Sequence, residues 1–141
     1  SGKDLIIVFD GRNNTIRKDE FAPKLLGKTK KGDLLYGYAR LPYVNYHTAC
    51  LSAAYPMAYD KQLELEVKNF GLSTSEETDL TVLVNGIKLA EGQVKALSPY
   101  ESVKLSLPCI HAAKIDNQTL FTIVYSQHSK EIRKETIQNF D

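Results

Sequence analysis

Six of the eight tyrosines fall between positions 36 and 59: Tyr36, Tyr38, Tyr43, Tyr46, Tyr55 and Tyr59. Tyrosine joins a large rigid apolar ring to a polar tip, a combination that contact surfaces favour. Tyr36 and Tyr38 are two apart, so they share one face of any strand that holds them. Exposed, such rings can seat a partner protein or stack on a sugar. The plainer reading lays them along the edge of a sandwich with their hydroxyls in water, because tyrosine is commonly half buried. Just upstream, Lys28, Lys30 and Lys31 supply a basic rim suited to a phosphate or an acidic surface. They lack the Gly-rich cradle and following helix that specific phosphate binding uses.

The two cysteines stand near two of the three histidines, as His47-x-x-Cys50 and Cys109-x-His111. Two sulfurs and two imidazoles formally suffice for tetrahedral zinc. The spacing departs from finger patterns, and Cys-x-His is tight for two ligands on one ion, so no metal is assigned. A disulfide between Cys50 and Cys109 would staple two sheets, as in many sandwiches. The default is two reduced, buried thiols acting as small hydrophobes. A Cys–His nucleophile pair has no strained turn or third partner beside it.

A third chemical candidate is Asp10, at the end of the apolar run Leu5–Phe9 and followed by Gly11, Arg12, Asn13 and Asn14. This run is similar to the first strand of PIN- or NYN-type nucleases. The resemblance implies a metal-dependent nuclease in which Asp10 helps hold Mg²⁺ or Mn²⁺. Such a site needs further carboxylates at other strand ends, brought together by intervening helices. Here Glu64 and Glu66 alternate along a strand, and Asp79 and Asp116 sit at turns. The competing reading is a strand followed by an Asp-Gly turn.

The elements that must position these groups are strands. In Gln62–Phe70, Leu63, Leu65 and Val67 alternate with Glu64, Glu66 and Lys68, which predicts an apolar face and a wet face. Ser102–Leu107 repeats the pattern with Val103, Leu105 and Leu107. Such half-wet strands favour an antiparallel sheet over a parallel one. Further strands are predicted at Leu5–Phe9, Leu34–Ala39, His47–Ala53, Leu80–Val84, Ile87–Leu89, Gln93–Leu97, Leu120–Tyr125 and Glu131–Ile137. Asn85-Gly86, between two apolar runs, is the strongest hairpin signal, because both positions tolerate positive φ. Gly71, Gly92, Ser98-Pro99 and Pro108 mark further breaks. Helical signal is thin: Asp19–Leu26 could make a turn or two, but Pro23 interrupts it. Residues 10–33 have no strong period and read as a long loop or extension.

At 141 residues, with 43% hydrophobic and 25% charged residues, the chain is expected to form one domain able to bury its own core. No apolar run approaches the length that crosses a bilayer as a helix, and no leader pattern is present. Ser1-Gly2 without Met reads as the remnant of a cleaved tag, so a piece of a longer protein is expected. The net charge of +1 gives no global pull toward nucleic acid. Its distribution is uneven: residues 1–40 carry nine basic and five acidic side chains. Asn13-Asn14-Thr15 and Asn117-Gln118-Thr119 match the glycosylation acceptor pattern, a match too short to establish secretion.

Residues 62–107 resemble the Ig-like sandwich family of adhesion-related bacterial domains called CARDB. The matching residues are Leu63-Glu-Leu-Glu-Val67-Lys-Asn69-Phe-Gly71, Leu80-Thr-Val-Leu-Val-Asn85-Gly86 and Val94-Lys-Ala-Leu97-Ser-Pro99-Tyr-Glu-Ser102-Val103. The close after Ile137 departs from the family pattern, and residues 10–60 have no counterpart in it. The resemblance implies a non-catalytic module for spacing or adhesion inside a larger protein.

The combined expectation is an all-β, antiparallel, Ig-like β-sandwich. Its core is predicted from Leu63, Leu65, Val67, Leu80, Val82, Val84, Val103, Leu105, Leu107, Phe121, Ile123 and Tyr125. Its function is expected to be a protein-binding, structural or adhesion role without cofactor, with a glycan-binding module as the alternative. The contact surface is placed on Tyr36–Tyr59, rimmed by Lys28, Lys30 and Lys31. The compartment stays open, with extracellular or cell-envelope placement favoured.

Overall fold

A computed structural model of the chain describes residues 4, 6–8, 10–12, 16–18, 20–59, 61–116, 118–127 and 131–138. Among them are nine strands: β1 Lys24–Lys28, β2 Leu34–Tyr38, β3 Leu51–Tyr59, β4 Gln62–Asn69, β5 Thr78–Val84, β6 Ile87–Val94, β7 Ser102–Pro108, β8 Leu120–Gln127 and β9 Glu131–Gln138. They form an antiparallel hairpin β1–β2, a three-stranded sheet β3–β4–β7 and a four-stranded sheet β6–β5–β8–β9. The architecture is all-β, antiparallel and sandwich-like.

One apolar core lies between the two larger sheets. Leu63, Leu65 and Val67 of β4 face Leu80, Val82 and Val84 of β5 and Phe121, Ile123 and Tyr125 of β8. All nine are buried. Val103 and Leu105 are half-buried against this cluster, and Leu107 is buried within it. The period-two pattern therefore sets the phase of β4, β5, β7 and β8. Full burial of one such aliphatic side chain is worth about 1.5–3 kcal/mol.

Polar groups fix the approach of the sheets. The buried Tyr125 hydroxyl donates to the Leu51 carbonyl at 2.7 Å, tying β8 to β3. At the end of β4, Asn69 is fully buried and makes four hydrogen bonds. Its Oδ1 accepts from the Cys50 and Gly71 amides at 3.1 and 2.9 Å, and its Nδ2 donates to the Ser73 and Leu97 carbonyls at 2.8 and 3.0 Å. Gly71 is required next to it, because a Cβ there would overlap the Thr48 carbonyl oxygen.

The Asn85-Gly86 turn forms as expected, with φ of 51° and 79°, between paired Val84 and Ile87. Elsewhere the elements differ from the sequence reading. Ile6, Ile7 and Val8 lie outside any strand, and Ile6 and Val8 are 84% and 88% exposed. An apolar run needs a partner strand, and the run itself specifies none. Residues 10–33 are not a featureless loop: β1 begins directly after Pro23, and no helical turn forms over the described part of Asp19–Leu26. The strand expected at His47–Ala53 starts at Leu51 and continues to Tyr59 through Pro56, where the register shifts between Ala54 and Met57. Such a shift is where a sheet tolerates proline. Ile87–Leu89 and Gln93–Leu97 are one strand to Val94. Gly92 does not break it, and a Cβ there would meet the Leu107 side chain at 2.5 Å, so glycine lets the sheets close.

Candidate functional site

The outer face of β4 carries Glu64, Glu66 and Lys68, and the β1–β2 hairpin lies over it. Side chains alternate across strands, so Lys24, Leu26, Tyr36 and Tyr38 share the face of the hairpin directed at the sheet. The Lys24 ammonium donates to the Ala53 carbonyl. The Tyr36 hydroxyl donates to Glu66 Oε2 at 2.9 Å. Tyr38 meets Tyr36 edge-on with centroids 5.7 Å apart, and Phe70 at 5.1 Å. Glu66 is consequently buried to 7% exposure, although its alternation placed it toward water. Period two fixes the face, but a covering hairpin decides whether that face is wet.

Beside this contact, Tyr36 and Met57 wall a cavity of about 350 Å³. Glu64, Glu66, Lys104 and Ser106 contribute its polar lining, with Leu65 and Leu105 also lining it. The register explains the grouping, since Met57 pairs with Glu64, Glu64 with Ser106, and Glu66 with Lys104.

A row of cations and rings continues from the cavity toward the end of β4. The Lys68 ammonium lies 5.2 Å from the Tyr38 centroid and 5.9 Å from that of Phe70, and donates to the Tyr100 carbonyl at 2.9 Å. Arg40 donates from Nε and Nη2 to the Phe70 carbonyl at 3.1 and 2.7 Å. Its guanidinium sits 4.7 Å from the Tyr46 centroid and 4.4 Å from that of Tyr100. The Tyr46 hydroxyl accepts from the Leu41 amide at 2.8 Å and donates to the Phe21 carbonyl. Each cation is held over a ring face, the geometry of cation–π attraction.

Of the expected surface, the structure thus brings Tyr36, Tyr38 and Tyr46 into one neighbourhood. Tyr43 lies in the turn between Arg40 and Tyr46 and is 60% exposed. Tyr55 and Tyr59 lie in β3, and their side chains fall outside the described residues. Lys28, Lys30 and Lys31 are exposed at the far end of the hairpin, away from the contacts made by Lys24, Tyr36 and Tyr38. Their turn is ordered by Thr29, whose hydroxyl accepts from the Lys31 and Asp33 amides and donates to the Asp33 carboxylate. Phe70, Tyr100, Arg40 and Lys68 were not legible as members of this surface. Tyr100 is 62 residues from Tyr38 in sequence, and only the close approach of the 98–101 turn to Asn69 unites them. The Tyr100 amide donates to the Asn69 carbonyl at 2.8 Å, and the Asn69 amide to that of Glu101 at 2.9 Å.

Cys50 and Cys109 are not joined in a disulfide. Cys50 precedes β3 at the Asn69 end of β4, and Cys109 follows β7 at the Gln62 end. Eight residues of strand separate the two ends, about 25 Å, far beyond the Cα spacing a disulfide needs. His47 accompanies Cys50 and His111 accompanies Cys109, so the four donors considered for zinc are divided between the ends. Among the described residues, no group of three or more His, Cys, Asp or Glu is placed to hold a metal ion. Burial pushes the Cys109 thiol up from its ordinary pKa, which lowers its thiolate fraction at neutral pH.

Asp10 is exposed, and the described residues 6–8 before it are not in a strand. Arg12 donates to its Oδ1 from the backbone amide and Nε at 2.9 and 3.2 Å, and to its Oδ2 from Nη2 at 3.1 Å. These bonds hold its carboxyl below the usual aspartate range. Both acceptor triplets containing Asn13 and Asn117 include positions outside the described residues.

Among the described residues, no helix is long and apolar enough to cross a membrane. No family model matches the chain, and no curated protein matches it.

Proposed function

We propose that this chain is a non-catalytic interaction module of a larger protein, holding a protein partner on the outer face of β3–β4–β7. The observation that carries this reading is the cavity of about 350 Å³ walled by Tyr36 over the buried residue Glu66. Rigid aromatic walls with a few placed polar groups are what recognition clefts use. The cation–ring row through Tyr38, Lys68, Phe70, Arg40 and Tyr100 extends the same face. An Ig-like assignment fits the strand order: β3–β4–β7 correspond to strands A, B and E, and β6–β5–β8–β9 to C′, C, F and G. That order, with the resemblance over residues 62–107, supports an adhesion or spacing role.

The test is selection from a random peptide display library on the wild-type protein. Binders should lose affinity for Tyr36→Ala and Tyr38→Ala while both variants keep the wild-type circular dichroism spectrum. Binders indifferent to both substitutions would place the contact surface elsewhere.

A glycan-binding module is the second reading. It is favoured by the Tyr36 ring standing beside the acceptor oxygens of Glu64 and Glu66. Titration with neutral hexasaccharides should then shift the Tyr36 ring resonances saturably. Unmoved resonances at millimolar sugar would remove this alternative.

A further inference from the structure

The geometry points to an arginine side chain of the partner protein as the group that the Tyr36–Glu66 cavity receives. This rests on the interaction-module reading and names the chemistry of its partner. Glu66 is more than nine-tenths buried as a residue and lines the cavity. A buried charge is costly unless paired and hydrogen-bonded. Among the described residues, the Tyr36 hydroxyl on Oε2 is the one side-chain donor to this carboxylate, and no Lys or Arg forms an ion pair with it. Lys104, its register partner on β7, is exposed.

Glu64 lies on the same face two residues away, so among the described residues the lining includes two carboxylates and one ammonium. The Glu66 carboxylate complements a cation. Guanidinium fits better than ammonium for three reasons. Its planar fork can donate two parallel hydrogen bonds to a carboxylate. Its flat face can lie against the Tyr36 ring. Its aliphatic stem suits the apolar lining from Met57. The molecule already uses the same pairing, with Arg40 held over Tyr46 and Tyr100. A volume of about 350 Å³ lies at the small end for ligand clefts, which suits one inserted side chain better than a run of sugar rings.

The probes are acetyl-Gly-Arg-Gly-amide and its Lys and Leu counterparts, titrated into the full chain and followed by backbone and tyrosine-ring NMR. The arginine peptide should shift Tyr36, Glu64, Glu66 and Lys104 saturably. The lysine peptide should bind several-fold more weakly, and the leucine peptide should leave these signals in place. Glu66→Gln keeps the acceptor for Tyr36 while removing the charge, and should weaken arginine binding about tenfold. Tyr43→Ala, at an exposed ring outside the cavity lining, should leave it unchanged. Equal response to the arginine and leucine peptides, no response to either, or full affinity in folded Glu66→Gln overturns the inference. Library binders that need Tyr36 but carry no arginine would also overturn it while leaving the interaction-module reading standing. Binders indifferent to this face would remove both.

Discussion

On β4, Leu63, Leu65 and Val67 point into the core, while Glu64, Glu66 and Lys68 on the opposite face meet the hairpin laid over them. The inner face is held by apolar contact from both sheets, which is non-directional and spread over many neighbours. The outer face is held by single hydrogen bonds and ring contacts from Lys24, Tyr36 and Tyr38. One strand therefore carries two kinds of sensitivity. Inner substitutions should unfold the chain, and outer ones should cost less stability.

The largest expected effect is on the inner face. Leu63→Asp places an unpaired charge where exposure is 0%. It should cost more than about 4 kcal/mol, enough to unfold a domain of ordinary stability. Loss of the strand signal in circular dichroism checks this. A folded Leu63→Asp protein would mean that the two faces are assigned the wrong way round.

Asn69→Ala probes the joint where the faces meet. It orphans the Cys50 and Gly71 amides and the Ser73 and Leu97 carbonyls together. Losing paired buried groups should cost about 2–4 kcal/mol, read as a lowered urea midpoint with an unchanged slope. A loss below about 0.5 kcal/mol would show that water replaces the side chain and that this corner is not what fixes β4.

Tyr38→Ala should cost less, about 1–2 kcal/mol, because it removes two edge-to-face ring contacts and one cation–ring contact from the outer face alone. The near-native far-ultraviolet spectrum should survive. If Tyr38→Ala instead unfolds the chain as Leu63→Asp should, the hairpin belongs to the core and the contrast between faces disappears.

The sequence showed the inner face plainly and the outer face hardly at all. Alternation is a local property, so Leu63-Glu-Leu-Glu-Val67 and Ser102–Leu107 state their own burial phase. Asn85-Gly86 states its turn, because backbone sterics act over two residues. What covers Glu66 is not local: Tyr36 lies 30 residues away in a segment without a periodic signal. Tyr36 and Tyr38 could be singled out by type and spacing, whereas Phe70, Arg40 and Tyr100 join them through long-range approach. The apolar run at Leu5–Phe9 shows the converse error, since strand-like composition does not supply a partner.

The smallest expected effect lies beside that outer row, in the turn that carries Tyr100. Glu101 accepts from the Lys95 ammonium at 2.7 Å and from the Ser98 amide at 2.9 Å. The Lys95 bond first, and then the amide, hold its carboxyl below the ordinary glutamate range. A depressed folded value means that this turn is favoured above the unfolded pKa of about 4.3 and loses that support as pH falls through the folded value. The pair is exposed and screened, so the change in overall stability should be slight. The readable quantity is the Glu101 carboxyl midpoint by carbon NMR. It should lie below the usual glutamate value and rise toward it in Lys95→Ala, while the Tyr100 ring signals shift only slightly. A midpoint that stays in place in Lys95→Ala would transfer the effect to the Ser98 amide. Tyr100 signals that broaden in step with Glu101 protonation would show that this turn, unlike the core face of β4, depends on a single charged contact.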